Sequence, residues 1–243
     1  MELADVQRHA GTRVSRKLAR HCRIRNSRIL PRVVQKEKNM ITLNKVSKHF
    51  RSNCVFEQID YAFADGLVYC VQGINGSGKT VLLKLIAGLL EPDEGRISFN
   101  KKDVRKGVII ETPRFWKHMS GLETLRFLAS VRGEISEETI LEYMAKTGTI
   151  AYKDKRVGSY SLGMKQRLAI AQAMMEDPDI LLLDEPTNAL DESGLAMLKG
   201  LLKEEKEKGK TILIATHNLD DLEDVIDRQL KIRDRRLVEW QRG

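Results

Sequence analysis

Apolar side chains recur along this chain first at the spacing of strands, then of helices, then in alternation between the two. Ile41–Val46, the nearly alternating Phe56–Phe63 and the unbroken run Leu67–Val71 predict strands, as do Arg96–Phe99 and Val108–Ile110 further on. Val81–Ile86 predicts a helix. Gly121–Arg132 carries Leu122, Leu125, Phe127, Leu128 and Val131 and predicts another. A third begins at Ser136, with Glu137 and Glu138 in its first turn, where negative charge meets the positive end of the helix dipole. From Ile180 onward the two kinds of element alternate: Ile180–Leu183, Ser193–Lys208, Thr211–Ala215, Asp220–Val225. Such alternation predicts a parallel sheet with helices on its faces. The expected fold is an α/β core interrupted by a helical insert at about residues 112–175.

Composition changes this picture little, and charge changes it at one end. A chain of 243 residues can bury a substantial core as one domain, with or without a subdomain. Hydrophobic residues make up 42% of it, but no apolar run approaches the ~20 residues of a membrane-spanning helix, so the chain is expected to be soluble by itself. Cys22, Cys54 and Cys70 form an odd, unpatterned set that fits a reducing cytosol. The net charge of +8 invites a nucleic-acid reading. Residues 1–39, however, hold eleven Lys and Arg against Glu2, Asp5 and Glu37, which accounts for the whole excess and leaves residues 40–243 neutral. The basic segment is expected to be a solvated arm, disordered or weakly helical, with contact to RNA or an anionic membrane as the functional alternative. Met40 stands one residue before the first strand, where a start codon would fall if the upstream stretch is not native sequence.

The chemistry lies in four short segments. Gly73-Ile74-Asn75-Gly76-Ser77-Gly78-Lys79-Thr80 joins a predicted strand to a predicted helix. This is the context in which a glycine loop cradles phosphates, because its successive backbone N–H groups converge on the anion and the helix aims its positive end there. Lys79 is predicted to bridge the β- and γ-phosphates of ATP, and Thr80 to place its hydroxyl on Mg²⁺. The apolar run Ile180–Leu183 ends in Asp184 and Glu185. At a strand's C-terminal end both acids can reach a ligand lying across the sheet edge, Asp184 toward Mg²⁺ and Glu185 toward the attacking water. Taken alone, such a pair reads better as a simple solvated strand end; beside a phosphate loop the preference reverses. The third segment, Tyr160-Ser161-Leu162-Gly163-Met164, opens a predicted helix Leu162–Glu176 with a serine and a glycine, either as a plain N-cap or as an anion-binding helix start. The fourth is Thr216-His217, after the next strand.

With these segments in this order, residues 40–243 resemble the ATP-binding-cassette (ABC) ATPases. The resemblance implies a P-loop NTPase core of mainly parallel sheet flanked by helices, with an N-terminal antiparallel β segment and an inserted α-helical subdomain. Tyr160–Met164 is similar to the family signature Leu-Ser-Gly-Gly-Gln, keeping Ser161 and Gly163. It implies binding to the γ-phosphate of ATP held by a second cassette, in a head-to-tail homo- or heterodimer. Phe50 corresponds to the aromatic that stacks on adenine, Asn188–Asp191 to the loop that crosses the dimer interface, and His217 to the histidine that contacts the γ-phosphate. Glu111 stands where the family has a glutamine touching Mg²⁺ and the attacking water, and is expected to be a Mg²⁺ ligand with Thr80 and Asp184, though its carboxylate adds negative charge beside the phosphates. Glu111-Thr112-Pro113 followed by Phe115 and Trp116, with the Tyr-Ser-Leu-Gly-Met-Lys-Gln-Arg signature, is similar to bacitracin and peptide-antibiotic exporters.

The implied function is an ATP-hydrolysing subunit that drives transport, in the direction of peptide or drug export, through separate integral-membrane permease subunits. These would hold it on the inner face of the cell membrane and dock on Thr112–Leu125. The alternatives are a soluble ABC ATPase acting on ribosome or DNA, and a small-molecule kinase. Against the first stand a single phosphate loop, the 82 positions between Lys79 and Ser161, and the neutral domain, so nucleic acid is not the expected partner. The second leaves Tyr160–Arg167 and His217 unexplained.

Overall fold

The computed structural model of the protein describes residues 38–240 apart from Ser52, Arg132 and Glu134. The expectations for residues 1–37 lie outside the described residues. Met40 falls inside the first strand and is buried.

Two sheets form. β1 (Asn39–Phe50) pairs antiparallel with β2 (Asn53–Ala64) and with β4 (Glu94–Phe99), giving the order β2-β1-β4. The second sheet runs β5-β6-β7-β3-β8-β9, from β3 (Val68–Gln72), β5 (Lys106–Ile109), β6 (Ile180–Asp184), β7 (Thr211–Thr216), β8 (Arg228–Arg233) and β9 (Arg236–Trp240). Its pairs are parallel except the β8–β9 hairpin. The expected strands are all present with ends shifted by a few residues, and β8 and β9 are additions that the apolar pattern did not predict.

The central strands separate the core by residue parity. On β6, Leu181 and Leu183 face one cluster and Ile180 and Leu182 the other; on β7, Ile212 and Ile214 oppose Leu213 and Ala215. Successive strand side chains point to opposite faces, so an unbroken apolar run is what a strand covered on both sides requires. One face receives α1 (Lys79–Ala87) through Leu82, Leu83 and Ile86, with the antiparallel sheet joining the same cluster. Fully burying such a side chain contributes roughly 1.5–3 kcal/mol. The other face receives the helices built between β5 and β6, which are α2 (Gly121–Ser130), α3 (Glu137–Lys146) and α4 (Leu162–Met174), together with α5 (Glu192–Glu207). Ser120 and Glu123 close a reciprocal capping box on α2, and Ser136 caps α3 as its sequence position predicts. Asp220–Val225 forms a 3-10 helix rather than an α-helix.

Candidate active site

The site lies at the C-terminal ends of β3, β6 and β7, adjacent strands of the parallel sheet. In such sheets ligands bind outside the carboxyl ends of the strands. The glycine loop leaves β3 and enters α1 through Gly78, whose φ of 104° is open to glycine and strained for other residues. A Cβ there would also stand 2.8 Å from Val55 Cγ1 and 2.9 Å from Phe56 Cζ, so loop and β2 can pack this closely only because the side chain is missing.

A cavity of about 240 Å³ is lined by Asn75, Gly76, Gly78, Lys79, Thr80, Asp184 and Glu185, with Val55 beside them. Lys79, 6% exposed, curls over its own loop and donates to the carbonyls of Gly73 at 2.7 Å and Ile74 at 3.4 Å. Its ammonium is 3.9 Å from Glu185 Oε1. Those carbonyls and the nearby Glu185 carboxylate compensate the buried cation. The Thr80 hydroxyl donates to Asp184 Oδ2 at 2.6 Å. Ser77 Oγ is buried without a hydrogen-bond partner among the described residues, an unsatisfied polar atom inside a loop of amide donors.

The two acids are held differently. Asp184 ends β6 and is buried; burial pushes its carboxyl above the usual carboxylate range, the Glu185 charge adds to this, and the Thr80 hydrogen bond opposes it. Glu185 follows with φ of 47°, in the left-handed region, where a non-glycine residue costs of the order of 1–3 kcal/mol. That turn presents its carboxylate to β7. Oε2 accepts from Thr216 Oγ1 at 3.0 Å, while Oε1 accepts from the His217 backbone N–H at 3.1 Å and lies 2.9 Å from His217 Nδ1. Beneath the loop, burial and the Glu185 charge push the Cys70 thiol up to about 12, so it stays neutral.

Other predicted residues stand apart. Phe50, at the end of β1 and 43% exposed, is not among the residues lining the cavity; its ring lies 5.5 Å from Lys48 Nζ. The Glu111 backbone amide weakly favours the Asp184 carboxylate, but the residue's side chain points to Lys84 Nζ on α1, 2.5 Å away. That ammonium holds the Glu111 carboxyl below the usual range. Ser161 Oγ accepts from the Met164 N–H at 3.2 Å, an N-cap on α4. With Gly163, Ala189 and Asp191 it lines a separate cavity of about 500 Å³.

Sequence reasoning gave no role to the groups that act through these residues. Thr216 orients Glu185, and Lys84 pairs with Glu111. Buried Gln166 donates to the Pro186 carbonyl at 3.1 Å, tying α4 to the segment after the acids. Arg167 spans from the Thr147 carbonyl to Asp191 and Ser193. For Thr216 and Gln166 the signal was adjacency to His217 and to the Ser161 segment; Lys84 had none, being one of many helical lysines.

A phosphate loop and two strand-end acids opening on one cavity define a nucleoside-triphosphatase of the phosphate-loop class. Known proteins narrow the class further. The ABC transporter family matches residues 56–188. The uncharacterized ABC transporter ATP-binding protein YybJ of Bacillus subtilis is 38% identical over 82% of this chain and 94% of its own length. The lantibiotic transport ATP-binding protein SrtF of Streptococcus pyogenes is 34% identical over 77% and 84% respectively. The bacitracin transport ATP-binding protein BcrA of Enterococcus faecalis is 35% identical over 77% of this chain, which spans 64% of BcrA. Among solved structures, an ATP-binding subunit of an ABC transporter superposes with a TM-score of 0.76 at 26% identity, covering 83% of this chain and 90% of that one. The fold is shared with MJ0796, a bacterial ABC transporter cassette solved as a dimer, with a TM-score of 0.74 at 24% identity over 84% of this chain and all of that one. The chain belongs to the ABC transporter ATP-binding family, and its enzymatic activity is ATP hydrolysis.

Proposed function

We propose that this cassette binds ATP in the Lys79–Glu185 cavity, hydrolyses it with Glu185 as general base, and passes the resulting motion to a membrane permease. The observation that carries the proposal is the convergence of Lys79, Thr80, Asp184 and Glu185 on one cavity, with Glu185 oriented by Thr216 and His217. Backbone amides of Gly73–Thr80 would receive the phosphates, and Lys79 would exchange its loop carbonyls for phosphate oxygens. Glu185 would take the proton of the attacking water, with His217 held at its side to contact the γ-phosphate.

The donor set fits Mg²⁺. Thr80 and Asp184 supply two hard oxygens in direct contact, and this ion takes only one or two carboxylates, completing its shell from phosphates and water. When bound, Mg²⁺ would neutralise phosphate charge; Glu111, turned to Lys84, faces away from that task.

We assign the Ser161–Gly163 segment to a second cassette's nucleotide. It lies in its own cavity with Ala189 and Asp191, and this chain's phosphate loop contributes nothing to that lining. A head-to-tail dimer would bring the two half-sites together. The adenine role of Phe50 rests on the family resemblance and on its place at the rim of β1.

Among the described residues no helix is long and apolar enough to cross a membrane. On the family resemblance, separate permease subunits would carry out translocation and hold the cassette at the inner face of the membrane. The exposed Trp116–Phe127 pair, in edge contact at 4.9 Å, borders the Thr112–Leu125 surface on which the permease would dock. Relatives that carry lantibiotic and bacitracin transport in their names favour peptide export. Nothing in the site favours the ribosome, DNA or kinase readings.

The test is ATP turnover by wild type and Glu185→Gln. The variant is expected to lose turnover by roughly 10²–10⁴-fold while still binding ATP and accumulating as a nucleotide-bound dimer. Turnover near wild type would exclude Glu185 as the base.

A further inference from the structure

We propose that Lys84 is a positioning residue for the nucleotide site: its ammonium draws the Glu111 carboxylate off the phosphate cavity and cancels its charge. An acid can then stand where the family carries a neutral glutamine. The inference rests on the reading that the cavity takes ATP.

Position 111 is tied to the site by its backbone. β5 pairs with β6 with Ile109 opposite Leu183, so the backbone two residues further on stands beside the segment that carries Asp184 and Glu185, and the Glu111 amide favours the Asp184 carboxylate. Its φ of 63° places it in the left-handed region, a conformation that turns the chain sharply at the end of β5. What remains free is the side chain, and Lys84 captures it. Arg114 adds a second, weaker attraction. Lys84 projects from the last turn of α1, the helix whose first residues are Lys79 and Thr80, so its position relative to the phosphate loop is fixed by helix geometry.

The pair is largely solvent-facing, with Glu111 61% and Lys84 29% exposed at the side chain, and such pairs contribute little to stability. Its consequence is electrostatic and local. Asp184 and Glu185 already place two carboxylates at the cavity. An unpaired third, on the backbone beside the β6 end, would oppose a polyanionic ligand. The Lys84–Glu111 pair carries no net charge, and the Glu111 carboxylate is held away from the cavity.

A double-mutant cycle tests this. Wild type, Lys84→Met, Glu111→Gln and the double variant are titrated with a fluorescent ATP analogue in EDTA, and their turnover is then measured with Mg²⁺. Lys84→Met is expected to weaken analogue binding about tenfold when Glu111 is present, and less than about twofold in the Glu111→Gln background, the size of coupling expected for contacting charges. Lys84→Arg is expected to retain wild-type affinity. Equal losses in both backgrounds, or no loss in Lys84→Met, would overturn the proposal. A wild type that binds no analogue would instead remove the ATP reading on which it rests. Melting temperatures verify folding, and Lys84→Gln replaces Lys84→Met in the cycle if the latter does not fold.

Discussion

The starts of α1 and α4 offer an anion the same physics, a helix N-terminus with free amides, yet they are furnished in opposite ways. At α1 the loop surrounds its own helix start, a lysine folds over it, and two acids arrive from β6. At α4 the cap is a single serine, its oxygen already engaged by Met164, with Leu162 half exposed beside it. The Ser161 cavity contains Asp191, but that carboxylate is occupied: it caps α5 through the Gly194 N–H at 2.9 Å and pairs with Arg167 at 2.7 Å. One region thus gathers a glycine loop, a buried lysine and two acids around one cavity. The other is a capped helix start beside a separate cavity, which the proposed dimer would make the half-site for a neighbour's nucleotide.

The comparison breaks first at Gly163. A Cβ there would stand 2.6 Å from the Ala189 carbonyl oxygen, so Gly163→Val displaces the segment against the loop after the acids. Turnover is expected to fall by roughly 10²–10³-fold, the size seen when a preorganised electrostatic donor is lost, while ATP affinity of the isolated cassette changes less than about twofold. Parallel ATPase and binding measurements decide this, and a matching loss of affinity would mean the two regions are not separate.

Stability sharpens the contrast, because equivalent changes carry opposite signs. Asp184→Asn removes a buried carboxylate whose folded pKa is raised. Between the unfolded and folded pKa values the native state binds more protons, so wild-type stability falls as pH rises through that interval and stays low at neutral pH. The variant should therefore melt about 2–4 °C higher at neutral pH, though inactive, and its advantage should shrink as acidification reprotonates wild-type Asp184. Ser161→Ala removes an N-cap and should lower the melting temperature by a similar few degrees, about 1 kcal/mol, independently of that pH interval. Thermal melts across pH distinguish the two. A destabilised Asp184→Asn would show that the Asp184–Thr80 contact outweighs the cost of burial.

The elements legible in the sequence were those whose burial writes a period. Ile180–Leu183 and Thr211–Ala215 are covered on both faces and read as unbroken apolar runs. β8 and β9 were not legible because Arg228–Arg233 and Arg236–Trp240 are charge-rich, and because their hairpin turns through Asp234 and Arg235, at φ 48° and 62°, without the Gly or Asn that marks such turns. Asp220–Val225 supplied apolar residues for a helix but only six positions, which the tertiary structure closes as a 3-10 turn.

The candidate site divides in the same way. Gly73–Thr80, Asp184-Glu185 and Thr216-His217 were visible because each satisfies a local requirement: loop conformations open to glycine, or acids and a histidine at strand ends. The sequence by itself thus determined the class of chemistry. Their assembly was decided by the order β6-β7-β3, which places three segments distant in sequence at one sheet edge. Tertiary structure alone determined that Thr216 grips Glu185, that Lys84 claims Glu111, and that Ser161 lies in a cavity of its own. Motifs encode what backbone conformation and local charge demand; side-chain partners depend on distances across the fold, which no spacing along the chain records.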